Sequence, residues 1–375
     1  MLYTARGLFN TGIAVPSCAK EPAPRSEKPK NPKSYTHMKK TLITLIALSG
    51  ITIADDYTYI GGQDGWAEEA KNWKNADGAL LKDSGLLSSD NSLTPGNNFI
   101  IADGQSVKAG GNTGGFAGAT VVIQNGGTLK IDETSAVGSS ANVTVQGTLS
   151  IANNKILGPT QVSVDQGGKI EANGYIGAAT ITLNAGAVLT TDGDLKLNGT
   201  TFNVSESLNL GNTWLDGNDN CGSAAFNLGD SGIVNYGTVV YHDTEWRGSI
   251  TLSANCLEGA LTGSGDVLLY ERTLVTATAW NAANYNNGGG RLEDLFANHV
   301  NGGTITLNGT TLTFASEGFD AGALTAAHVG QYQLVMENNA IKVQYAAYAP
   351  IPEPTTATLS LLALAGLAAR RRRNK

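Results

Sequence analysis

Basic residues and cysteines are both scarce in this 375-residue chain, and each scarcity excludes something. The whole chain carries 25 Lys and Arg against 32 Asp and Glu, a net charge of −7. That mild figure hides an asymmetry. Residues 1–54 hold eight basic and two acidic residues, and residues 355–375 hold five basic and none acidic. The body, 55–354, is left with 12 basic and 30 acidic residues, net −18. Such a surface repels phosphate backbones, which argues against a nucleic-acid partner. It also repels anionic lipid and favours cations, basic partners or neutral glycans. Of the three cysteines, Cys18 precedes the body and leaves Cys221 and Cys256. No Cys-x-x-Cys occurs, so a zinc centre has no support. An even pair suits an oxidising compartment. A bridge between Cys221 and Cys256 would close a loop of about 36 residues and add roughly 3–4 kcal/mol. Two separate buried thiols fit the sequence as well.

What the chain has in quantity is glycine, 47 of them, set in a repeat. Val121-Val122-Ile123-Gln124-Asn125-Gly126-Gly127-Thr128-Leu129-Lys130-Ile131 states the pattern: alternating apolar residues, a glycine turn, then a second alternating run. It recurs around Val145, Val164 and Leu183, at steps of 22, 19 and 19 residues from Ile123. Period-two alternation means strands with one buried face. Strands this short cannot bury that face alone, so recurrence near twenty residues means stacked coils. Glycine supplies the positive φ that the corners require. Echoes follow at Leu195–Phe202, Phe226–Leu228 and Ile305–Leu312, while 211–301 is irregular, with polar loops at 215–220 and 284–290. Inserted loops on one face of a solenoid are a natural binding surface.

The expected fold is therefore all-β, a right-handed parallel β-solenoid over 106–345; an antiparallel β-sandwich is the alternative, since alternation alone does not assign strand direction. Ahead of it, 55–105 reads as an N-terminal cap: a strand at Tyr57–Ile60, a helix from Trp66 to Trp73, a turn at Pro95–Asn98 and a strand from Phe99. Trp66 and Trp73, seven apart, either stack on sugar rings or, by the simpler reading, plug the solenoid's end. The last coil is expected at Tyr332–Met336 and Ile341–Tyr345, with 346–351 as a linker.

Few motifs suggest chemistry. Gly229-Asp230-Ser231-Gly232 and Thr325-Ala326-Ala327-His328 look like the nucleophile and histidine signatures of the chymotrypsin family. The order along the chain is reversed, and Ile233 stands where that family needs a glycine. Asp216-Gly217-Asn218-Asp219-Asn220 resembles the start of a calcium loop, but Cys221 replaces its glycine and Asn227 its twelfth-position Glu. No cofactor or metal is expected; Ca²⁺ is the ion an acidic exported body would favour. Tyr241–Arg247, which contains His242 and Trp246, is the dense polar-aromatic cluster and, with Trp66 and Trp73, the candidate ligand-facing set. No catalytic residues emerge.

The two ends specify an address. Met38-Lys39-Lys40, the apolar run Thr41–Ile53 and Thr52-Ile53-Ala54 form a signal peptide over 38–54, cut after Ala54, which makes 1–37 an over-extended gene start. At the other end, 352–375, Pro352-Glu353-Pro354 is followed by the uncharged stretch Thr355–Ala369 and then Arg370, Arg371, Arg372 and Arg373. Leu and Ala favour a helix there, short for a bilayer span, and the arginines hold their end on the cytoplasmic side. This order resembles the PEP-CTERM sorting signal of Gram-negative bacteria, and the cap resembles the opening module of exported PEP-CTERM and autotransporter-like proteins. The resemblance implies an exosortase-type membrane peptidase as partner, cleavage near Pro352–Pro354 after transient inner-membrane anchoring, and delivery to the cell envelope or outside. A non-catalytic surface-structural or adhesive role, with glycans as partners, is the functional expectation. The alternative is a polysaccharide-cleaving lyase or hydrolase on the same scaffold.

Overall fold

The structure is a computed structural model that describes residues 55–67, 69–81, 96–109, 116, 118–131, 141–152, 156–158, 160–173, 175–177, 179–191, 195–215, 223–242, 249–283, 300–316 and 318–350, together with 364 and 370. The body is a parallel β-solenoid of about eight turns. Each early turn contributes one strand to a twelve-stranded first sheet and one to a six-stranded second sheet. Three turns add a strand to a short third sheet, Ile156–Leu157, Tyr175–Gly177 and Lys196–Asn198. Alternation is the cause. In Thr120–Ile123, Thr128–Ile131, Thr148–Ile151 and Thr180–Leu183 every second side chain is buried, and the inward Val, Ile and Leu columns form one continuous core.

The register follows the sequence repeat residue for residue. Ile123 pairs with Val145, Val145 with Val164 and Val164 with Leu183, all parallel. The corner between the first two sheets shows why glycine recurs there. Gly167 has φ +83°, and a Cβ on Gly168 would lie 2.1 Å from the carbonyl oxygen of Val145 in the turn below. One position needs a left-handed backbone and its neighbour needs no side chain at all.

The late turns widen. Leu183 pairs with Val204, Val204 with Leu228, Leu228 with Ala254 and Ala254 with Ile305, steps of 21, 24, 26 and 51 residues. The two strands Ser207–Leu210 and Thr213–Leu215 both pair with the single ten-residue strand Ile233–His242, and the next strand, Val267–Ala283, is seventeen residues long. Separate second and third faces thus merge into one broad wall.

Both ends close by antiparallel pairing, and here the sequence expectations need correction. No helix joins Trp66 to Trp73. The chain makes a three-residue 3₁₀ turn, Ala70–Asn72, and then Trp73–Asn75 pairs antiparallel with Tyr57–Tyr59. Extended backbone at Trp73 sends its indole into the core, where it is fully buried, meets Tyr59, Phe99 and Phe116, and donates from Nε1 to the Ala67 carbonyl at 2.7 Å. The solenoid proper also begins inside the expected cap, at Asn98–Ile101 and Ser106–Ala109.

At the far end, Gln331–Glu337 and Ala340–Tyr348 form a hairpin, not a coil. Its two-residue connection, Asn338 and Asn339, has φ +52° and +60°, the primed turn that reverses a chain; a parallel crossover needs a dozen residues or more. Ala346–Tyr348, read as part of a linker, belong to this strand, which also pairs antiparallel with Val267–Ala283. Closed ends leave short edges that do not invite another chain.

Candidate functional site

The outward face of the first sheet is built from neutral polar residues. In register, Thr144, Ser163, Thr182, Asn203, Asn227 and Ser253 form one column. Asn142, Gln161, Thr180, Thr201, Ala225 and Thr251 form the column beside it. None of the twelve is charged, in a body of net −18. The second sheet differs: its outward Lys130 bonds Asp64 at 2.7 Å and Lys169 bonds Glu171 at 2.7 Å. Hydrogen bonds from Lys130 and Ser106 hold the Asp64 carboxyl below its ordinary pKa.

Amides couple successive turns of the first sheet. Asn203 Nδ2 donates to Thr182 Oγ1 at 3.0 Å, and Asn227 Nδ2 donates to Asn203 Oδ1 at 2.8 Å. The ladder then stops. A β-bulge sets Gly303 and Thr304 against Ser253 alone, and the Thr304 backbone amide donates to Ser253 Oγ at 3.1 Å. Among the described residues no hydrogen bond joins Asn227 to Ser253. At this interruption lies an open groove of about 370 Å³, lined by Asn203, Ser205, Asn227, Ser253, Thr304 and Thr306 with the backbone around Val204, Leu228–Gly229 and Ala254. Its side chains donate and accept hydrogen bonds and carry no titratable group.

One edge of the groove rests on Arg272, which neither repeat nor motif pointed to. From Val267–Ala283 its guanidinium reaches across two turns: Nη2 donates to the carbonyls of Gly229 at 2.5 Å and Gly232 at 2.8 Å, and Nη1 donates to the Asn255 carbonyl. Burial pulls the Arg272 pKa below its usual value, while Cys256 and Asp230 oppose that shift. The Gly229–Gly232 turn is therefore a clamped structural corner. Ser231 sits exposed on it, and His328 closes a 3₁₀ turn at Ala326–His328, where its Nδ1 accepts the Thr325 amide at 3.0 Å. The protease-like fragments serve local backbone structure. No signal in the sequence marks Arg272; the groove's signal was present as Ser, Thr and Asn at outward strand positions, without any titratable cluster to attract notice.

The remaining sequence candidates scatter. Trp73 is core and cannot face a ligand; Trp66 is 37% exposed, with Lys108 Nζ 5.9 Å from its ring centroid on the second-sheet side. His242 ends the strand Ile233–His242, and nothing is described of its side chain. Trp246, the calcium-like loop at 216–220, Cys221, Ala54, Pro352, Glu353, Pro354 and Arg371–Arg373 lie outside the described residues; of the tail, Leu364 and Arg370 have helical backbone. Among the described residues no helix is long and apolar enough to cross a membrane, and no cluster of three His, Cys, Asp or Glu is placed to hold a metal. Cys256 is a buried free thiol. Burial pushes its pKa up to about 11 against the opposing influence of Arg272 and a hydrogen bond with Tyr345. Comparison of the chain with protein-family models, curated proteins and solved structures finds no match.

Proposed function

We propose that the chain is an exported, non-catalytic protein of the cell envelope or extracellular matrix, sorted through its C-terminal segment and acting as a structural or adhesive element. The observation that carries this reading is the pairing of a solenoid closed at both ends with a chain whose termini resemble a signal peptide and a PEP-CTERM signal. A closed, rigid rod with a strongly acidic surface suits a role outside the cell, where it presents long lateral faces and no edge for polymerisation. The ordered body reaches Tyr348, so the Pro352–Pro354 segment follows the last strand directly in sequence. An exosortase-type peptidase acting there would release the body as one folded unit.

Intact cells of the native host test the reading. With the parent protein, external protease or antibody reaches the body at the surface or in the medium. Pro352→Ala combined with Pro354→Ala leaves an uncleaved precursor in the inner-membrane fraction. A body confined to the cytoplasm, or release unchanged in the double variant, contradicts it.

A further inference from the structure

We infer that the groove where the amide ladder stops is a subsite for a neutral, hydroxyl-rich polymer, an extended uncharged glycan. Two independent observations point to that class. First, the lining is uncharged in a body of net −18, so the surrounding field disfavours anionic polymers such as polyuronates and a neutral chain pays no such penalty. Second, the interruption leaves complementary hydrogen-bonding capacity side by side. Asn227 spends an Nδ2 hydrogen on Asn203, and its Oδ1 accepts from no described residue. Ser253 Oγ accepts the Thr304 amide and retains its own hydroxyl proton as a donor. A sugar hydroxyl donates and accepts at once, which matches an amide oxygen next to a serine hydroxyl. Water satisfies these groups in the free protein, and a polyol replaces it with little loss of hydrogen bonding.

The bulge at Gly303–Thr304 gives the flat face its end wall. Bulges end regular pairing and re-aim side chains, and here Thr304 and Thr306 rise beside Ser253 where a regular strand would continue the plane. Turn spacing of about 4.8 Å sets neighbouring hydroxyl and amide groups at the separation of stacked strands. The site then continues as a track along Asn203, Thr182 and Ser163, whose register runs without interruption. Hydrogen bonds orient the ligand; no aromatic ring lines the groove to stack on a sugar.

This deepens the adhesive part of the proposed function and is separable from its export part: a correctly processed, surface-exposed protein that binds no neutral polymer would lose the groove and keep the sorting. The test is affinity electrophoresis of the full chain through gels containing laminarin, glucomannan or polygalacturonate, with thermal melts confirming that each variant folds. Retardation by laminarin or glucomannan is expected, together with about tenfold weaker binding for Asn227→Ala and for Ser253→Ala. Ser205→Ala, at the groove's edge and outside the ladder, is expected to weaken binding without lowering the melting temperature. Asn142→Ala, on the same sheet but far along it, is expected to bind as the parent. Failure to bind either neutral polymer, preference for polygalacturonate, or unchanged binding in all three groove variants overturns the inference.

Discussion

The turns before Thr190 and those after Thr200 share a first sheet but are held together differently. Early turns repeat at 19 to 22 residues, keep their second and third strands separate, and stack near-identical aliphatic columns. Late turns step by 24, 26 and 51 residues, merge two walls into long strands, and fasten one turn to another with side chains. Asn255 shows the second mode: its Nδ2 donates to Asp230 Oδ1 at 2.9 Å, and its Oδ1 accepts from Thr306 Oγ1 at 2.7 Å. A uniform repeat needs only alternation and glycine corners. Once the repeat varies, the corners no longer superpose, and hydrogen bonds to the exposed carbonyls replace what the repeat supplied.

The largest expected effect lies at the start of the regular half. Trp73→Ala empties the aromatic plug against Tyr59, Phe99 and Phe116 and is expected to cost about 3–5 kcal/mol in denaturant unfolding. A loss as small as a surface substitution would mean the first turns stand without their cap. Next comes the clamp of the irregular half. Arg272→Ala leaves three carbonyls without their charged donor and is expected to cost about 2–3 kcal/mol, with hydrogen exchange rising first at 229–232 and 255–256. Exchange that rises equally in the early turns would erase the distinction between the halves.

The corner glycines should divide in the same way. Gly168→Ala forces a methyl against the Val145 carbonyl and is expected to cost about 1–3 kcal/mol, whereas Gly265, with no heavy atom within 4 Å of an added Cβ, should accept alanine at no measurable cost.

Smallest is the alkaline response of the late core. Cys256 has its pKa raised to about 11 from an ordinary 9 by burial, so folding favours the neutral thiol. Its contribution is fully present below pH 9 and is lost as pH rises toward about 11. Stability against pH should therefore fall less steeply over that range in Cys256→Ala than in the parent. Identical slopes would place the thiol in contact with water.

The same two halves explain what the sequence reveals. The register of Ile123, Val145, Val164 and Leu183 is legible because equal steps carry equal residues to the same face. Past Val204 the step changes, and nothing local in the sequence states by how much. Trp66 and Trp73 at a spacing of seven imitate a helix, although burial of Trp73 decides the backbone there. The C-terminal hairpin was readable in Asn338–Asn339, a primed-turn pair, yet alternation alone leaves strand direction open. The groove was the least legible feature, since it consists of residues that neither titrate nor recur and arises from a one-residue bulge. Arg272 is equally silent in sequence, because its partners are backbone atoms 17 to 43 residues away.

Mass spectrometry of both termini of the protein purified from its native cell tests the central claim most directly. An N-terminus at Asp55 and a C-terminus close to Pro354 is the predicted result, and it defines the net −18 body as the mature protein. Mature, envelope-bound protein that retains its tail through Arg373 would mean a permanent anchor, and the sorting reading would be contradicted.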